Sequence, residues 1–132
     1  KAHLFINELM IYTGDGKPVL AKYKKYGVIV DVFVHFPEGK TIICYDHVDM
    51  NRTTSLMSEF KKSGFIVLFE NVFTFFKLEN CQLESEEFLC PKQESYLQEA
   101  YGFNYMIPDS GWTYTDRSIR DKSEKKGFLI NE

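Results

Sequence analysis

Gly64-Phe65-Ile66-Val67-Leu68-Phe69-Glu70-Asn71-Val72-Phe73-Thr74-Phe75-Phe76-Lys77-Leu78-Glu79-Asn80-Cys81-Gln82-Leu83-Glu84 is the stretch on which the fold turns. It is apolar and rich in β-branched and aromatic residues, which suit a half-buried pleated surface. Glu70-Asn71 interrupts it once, and Leu78-Glu79-Asn80-Cys81 reads as a polar turn into a second strand. The expectation is a long bent β-hairpin.

Upstream, Thr13-Gly14-Asp15-Gly16-Lys17-Pro18 is a turn by composition, after a segment from His3 to Tyr12 that suits a strand or a short helix. Gly27 then opens Val28-Ile29-Val30-Asp31-Val32-Phe33-Val34-His35-Phe36. With side chains alternating along a strand, Val28, Val30, Val32 and Val34 form an aliphatic face, and Ile29, Asp31, Phe33 and His35 a mixed one. That asymmetry predicts a barrel strand whose inner face fills a core. Pro37-Glu38-Gly39 is a hairpin connector, and Thr41 to Val48 is the returning strand, closed by Asp49-Met50-Asn51. Thr53 to Ser63 is read as a short helix, with a strand as the alternative; Thr53-Thr54-Ser55 offers its cap and Gly64 its stop.

Downstream, Pro91 to Tyr101 predicts a helix with Tyr96, Leu97, Ala100 and Tyr101 on one stripe and Gly102 as its end. From Pro108 the chain is polar and charged, which predicts an arm over 108–132, with Phe128-Leu129-Ile130 docking somewhere. The domain organisation expected is therefore one body over 1–107 and a polar arm.

At 132 residues the chain suits one ordinary domain, and a hydrophobic share of 44% excludes a disordered one. No apolar run approaches the roughly 20 residues of a membrane helix. The start at Lys1 without a leader pattern suggests an excised segment. Cys44, Cys81 and Cys90 are odd in number and include no close pair, so a disulfide framework is not expected and a reducing compartment fits better. His3, His35 and His47 are far apart and no Cys-x-x-Cys exists, so neither a metal nor a cofactor is expected. An enzyme is poorly supported. No phosphate loop or nucleophile constellation occurs, and the dyads Asp46/Asp49 and Glu86/Glu87 read as solvated carboxylates.

The net charge of −3 is unevenly spread, with lysines crowding the first half and Glu79, Glu84, Glu86, Glu87, Glu94 and Glu99 the stretch after the hairpin. Local rather than net charge steers a polyanion, although a solubilising scatter explains the same pattern.

The order strand, Pro/Gly hairpin, strand, short helix, bent hairpin, terminal helix resembles an OB-fold, a five-stranded Greek-key barrel. Over residues 4–101 the sequence is similar to the family of OB subunits that includes the middle subunit of the telomeric CST complex and the middle subunit of replication protein A. The carrying stretches are Tyr12-Thr13-Gly14-Asp15-Gly16-Lys17-Pro18-Val19, Tyr26-Gly27-Val28-Ile29-Val30-Asp31-Val32, Cys44-Tyr45-Asp46-His47-Val48-Asp49 and Gly64 to Val72. The third strand of that family has no obvious counterpart in Asn51 to Ser63.

The resemblance implies a mostly β, single OB-fold with a C-terminal helix and polar tail, located at telomeric chromatin in the nucleus. It implies a non-catalytic subunit of a single-stranded-DNA-binding complex, joined by a small and a larger OB subunit, with heterodimers formed through terminal helices. The DNA contacts expected on the mixed strand faces are Phe33, His35, Tyr45 and His47, with Lys40 and Lys77 on the hairpins; rings would stack on bases and lysines track phosphates. The partner contacts expected are Tyr96, Leu97, Ala100 and Tyr101. Core packing is the competing role for each ring, and capping of the barrel for the helix stripe. The alternative function is a purely architectural protein–protein module.

Overall fold

The computed structural model describes residues 6–47, 56–113, 115 and 117–130. The expected strand end at Val48, the Asp49-Met50-Asn51 break and the Thr53-Thr54-Ser55 cap lie outside the described residues. The fold is mostly β. Its strands are β1 (Ile6–Thr13), β2 (Pro18–Lys25), β3 (Val28–Phe33), β4 (His35–Glu38), β5 (Thr41–His47), β6 (Ile66–Thr74), β7 (Leu78–Leu83), β8 (Glu86–Pro91) and β9 (Arg120–Leu129). Helix α1 (Leu56–Ser63) precedes β6, and α2 (Gln93–Tyr101) follows β8.

Seven strands run in the order β3-β2-β1-β9-β6-β5-β4, while β7 and β8 pair separately. The two ends of that order, β3 and β4, are separated along the chain by Val34 alone, so the strand order is barrel-like. The five-stranded expectation is corrected to seven strands and a separate ribbon.

The chain divides into two compact units: residues 1–35, 44–70 and 121–132 form one, and 36–43 and 71–120 the other. In the first, β1, β2 and β3 form an antiparallel meander. The β1–β2 turn is closed by Thr13 N–H donating to Lys17 O at 2.9 Å and Gly16 N–H to Thr13 O at 2.9 Å. Tyr26 (φ 50°) and Gly27 (φ 79°) join β2 to β3 as two left-handed residues, the hairpin geometry that follows sheet twist. Ile11, Val19, Leu20, Cys44, Tyr45, Ile66, Leu68 and Leu129 are buried in this unit.

Strand β9 corrects the expected arm. It pairs antiparallel with β1 through Ile11↔Leu129, Tyr12↔Phe128 and Thr13↔Gly127. Its buried positions are Ser123, Gly127 and Leu129, so only one of them is a large apolar residue. A Cβ on Gly127 would lie 3.0 Å from both Ile11 Cγ2 and Leu68 Cδ2, so the absent side chain is what lets the strand approach this core. Phe128 meets Phe60 of α1 edge-on at 6.5 Å.

Strand β6 is continuous through Glu70-Asn71, but its buried positions change phase there, from Ile66 and Leu68 to Asn71 and Phe73. The polar pair thus marks a switch of face, as a bulge does, and not a chain break.

In the second unit, Phe73 stacks on Tyr96 of α2 with centroids 4.7 Å apart, and Phe76 meets both rings edge-on. Glu99 of α2 accepts a hydrogen bond from Thr74 N–H at 2.8 Å. Leu78-Glu79-Asn80-Cys81, expected as a turn, is strand; the β7–β8 turn is Glu84-Ser85, with Glu84 at φ 56°. The register sets Cys81 opposite Phe88, and Cys90 two residues along on the same face. Cys81 and Cys90 are bonded as a disulfide, with Cα atoms 6.0 Å apart, within ordinary disulfide reach. This overturns the expectation of unpaired thiols, because proximity came from the hairpin register and not from sequence spacing. Cys44 is buried and takes no part in this disulfide.

Candidate interaction surfaces

Strand β3 ends the sheet order, and all six of its residues are exposed. Val28 is 60% and Ile29 55% exposed; Val30, Val32 and Phe33 are exposed as well, and Tyr26 stands clear at the turn before them. The expected core-filling aliphatic face is therefore corrected: both faces of β3 are open. Its β-branched run makes it strand-forming, and pairing with β2 along Lys25↔Val28 to Leu20↔Phe33 holds it straight. Asp31 faces Lys22 across the pair and forms an ion pair with it at 3.8 Å. Single exposed apolar side chains are ordinary, whereas a contiguous apolar edge strand invites pairing with another chain.

The residues expected to meet DNA are distributed as follows. Phe33 is exposed at the end of β3, and His35 is half-buried at the start of β4. Burial holds the His35 imidazole below its ordinary pKa, partly offset by a hydrogen bond with the Phe33 backbone, so it is not poised as a phosphate-binding cation. Tyr45 is only 5% exposed, and Lys125 Nζ lies 5.6 Å from its ring centre. That burial gives its ring a packing role. His47 is half-buried at the end of β5.

Lys40 and Lys77 are exposed and both fall in the second unit. Phe75 N–H donates to Lys40 O at 3.0 Å, and Lys77 follows two residues later. Phe75, which the sequence did not single out, is 47% exposed. Alternation from the buried Phe73 would turn Phe75 inward, so no sequence signal marks it; strand β6 ends at Thr74, and Phe75 lies just beyond it.

The helix stripe is divided. Ala100 is 2% exposed, Tyr96 and Leu97 are half-buried, and Tyr101 is exposed. Tyr96 spends its face on Phe73, so part of the stripe is satisfied inside its own unit. Tyr101 instead meets Trp112, with centroids 5.1 Å apart, and the Arg117 guanidinium lies 5.1 Å from the Tyr101 ring and 6.0 Å from that of Trp112.

The β7–β8 ribbon also presents apolar side chains, with Leu78, Leu83, Phe88 and Leu89 exposed beside Glu79, Glu84, Glu86 and Glu87. Acidic residues outnumber basic ones nine to five in the sequence of this second unit, whereas the first is nearly balanced. A broad cationic field of the kind that gathers nucleic acid is therefore not a property of either.

Among the described residues, no group of three or more His, Cys, Asp or Glu side chains is arranged to hold a metal ion. No described helix is long and apolar enough to cross a membrane. No protein-family model, curated protein or solved structure matches the chain.

Proposed function

We propose that this chain is a non-catalytic interaction module that takes up a strand of a partner protein along β3. The observation that carries the proposal is the exposure of all six residues of that terminal strand, five of them apolar. An edge strand presents unpaired backbone N–H and C=O groups, so an added strand gains main-chain hydrogen bonds while its apolar side chains cover Val28, Ile29, Val30 and Val32. The partner is then a β-domain with an apolar edge of its own. The OB-type reading is part of this proposal, supported by the mostly β, barrel-like strand order with a helix ahead of β6. A telomeric or replication setting rests on the sequence resemblance alone.

Photo-crosslinking from a benzoylphenylalanine placed at Val30 in the full chain, in cells, tests it. The proposal expects a discrete crosslinked protein whose recovery falls at least several-fold in an Ile29→Lys/Val32→Lys variant of unchanged thermal stability. Equal recovery by that variant sinks it.

A second reading, single-stranded nucleic acid, is favoured by one observation: Phe75 is exposed, its backbone N–H is bonded to Lys40 O, and Lys77 follows two residues along the chain. One stacked base contributes about 1–3 kcal/mol, and two lysines would track its flanking phosphates. Fluorescence anisotropy with G-rich single strands across a salt series decides it. Salt-sensitive binding lost in Phe75→Ala supports it, and a flat titration at low salt removes it.

A further inference from the structure

Gly102, at φ 88°, ends α2, its N–H donating to Gln98 O at 2.8 Å. Beyond it the chain curls through three successive turns: Tyr105 N–H to Gly102 O, Ile107 N–H to Asn104 O and Trp112 N–H to Asp109 O. The curl returns Trp112 to Tyr101 and borders an open groove of about 610 Å³ lined by Tyr101, Tyr105, Trp112, Asp109, Asn104 and Ile107, among others. Three of those six residues are aromatic. Asp109 supplies the only carboxylate among the described lining residues, and no Lys or Arg lines the space.

The chemistry of this lining selects for positive charge. Aromatic faces carry negative quadrupole density and attract cations within about 6 Å of the ring centre. Tyr101 and Trp112 already show this, since the Arg117 guanidinium rests against both rings, so a ligand cation must displace it or take the remaining ring faces. Asp109 Oδ1 is oriented by Gly111 N–H at 2.9 Å, which leaves its second oxygen available to a ligand. The C-terminal end of α2, at Tyr101, adds partial negative charge, and the last turn of the helix holds no basic residue to neutralise it. An inorganic cation would demand a cage of oxygen ligands, whereas rings with one carboxylate suit a bulky, weakly hydrated cation.

We propose that the Tyr101–Tyr105–Trp112 groove binds an organic cation of the methylated-ammonium class, with Asp109 as its counter-charge. A methylated lysine side chain and a free choline-like amine share this headgroup.

Trp112 is the only tryptophan of the chain, so its fluorescence reports the site directly, and amide chemical shifts give a second readout. The full chain is titrated with choline, with N-acetyl-trimethyllysine amide and with 3,3-dimethylbutanol, the uncharged isostere of choline. Saturable binding of a cation is expected, roughly three- to thirty-fold tighter than the isostere, the range that cation–ring attraction supports. Asp109→Asn keeps the acceptor for Gly111 and is expected to weaken the cation several-fold while leaving the isostere unchanged. The tighter of the two cations identifies the source. Equal binding of the isostere overturns the proposal in favour of a merely apolar hollow, and so does the absence of saturable shifts at residues 101–112.

Discussion

The ring of Tyr96 lies flat on that of Phe73, with centroids 4.7 Å apart and planes 10° from parallel. This pair fastens α2 to the end of β6, and Phe76 completes it by meeting both rings edge-on. Because Phe73 is buried, truncation leaves a cavity as well as losing transfer energy. Phe73→Ala is expected to destabilise by about 3–5 kcal/mol. In a double-mutant cycle with Tyr96→Ala, the coupling between the rings should be about 0.5–1.5 kcal/mol, measured by urea unfolding. Additive single effects would show that the two rings do not support one another.

Gly127 carries a second prediction, about the central place of β9. A methyl group there would press on Ile11 Cγ2 and Leu68 Cδ2 at 3.0 Å, both in fully buried side chains. Gly127→Ala should therefore destabilise by about 1–3 kcal/mol, as overpacking does. Were β9 a loose arm, the same substitution would be neutral or slightly stabilising. Thermal unfolding monitored by circular dichroism separates these outcomes.

This glycine also explains what was legible in the sequence and what was not. The Thr13–Pro18 turn, the strand that opens after Gly27, α1, β6 and α2 all announced themselves through apolar periodicity or turn residues. Strand β9 did not, since Arg120-Asp121-Lys122-Ser123-Glu124-Lys125-Lys126-Gly127 buries small residues where neighbouring strands approach, and smallness leaves no hydrophobic pattern. The open state of β3 was equally hidden, because a valine run looks the same at a free edge as inside a barrel. Of the candidate residues, Lys40 and Lys77 were legible as exposed charges. Phe75 was not, because alternation from Phe73 would turn it inward, and it is exposed only because strand β6 ends at Thr74.

The disulfide gives a third prediction. A two-stranded ribbon is marginal by itself, so a cross-link that closes a short loop should matter to β7–β8. Cys81→Ser/Cys90→Ser is expected to lower stability by roughly 2–3 kcal/mol on the loop-entropy account, with faster amide exchange concentrated in residues 78–91. Mass spectrometry after alkylation without reductant should find one reactive thiol, Cys44, and only after unfolding. Three alkylated thiols would refute the pairing.

His35 gives the fourth, and its sign follows from burial. The imidazole is half-buried, and desolvation lowers its pKa in the folded chain below the ordinary 6.5, against a smaller opposing contribution from the Phe33 backbone. Between the folded value and 6.5 the unfolded chain binds more protons at this site than the folded chain does. Stability therefore rises with pH across that window, and its decline on acidification begins as the pH falls through about 6.5. Below the folded pKa both states are protonated and this site adds no further slope. Above 6.5 both are neutral, so the histidine contributes no pH dependence at pH 7.5. His35→Gln removes the titrating group, and the difference between its unfolding free energy and that of the native chain should change with pH only below about 6.5. Urea unfolding at half-unit intervals from pH 5 to 8 measures this. A constant difference across the series would place the imidazole in solvent and return His35 to the exposed face, where a protonated ring could meet a phosphate.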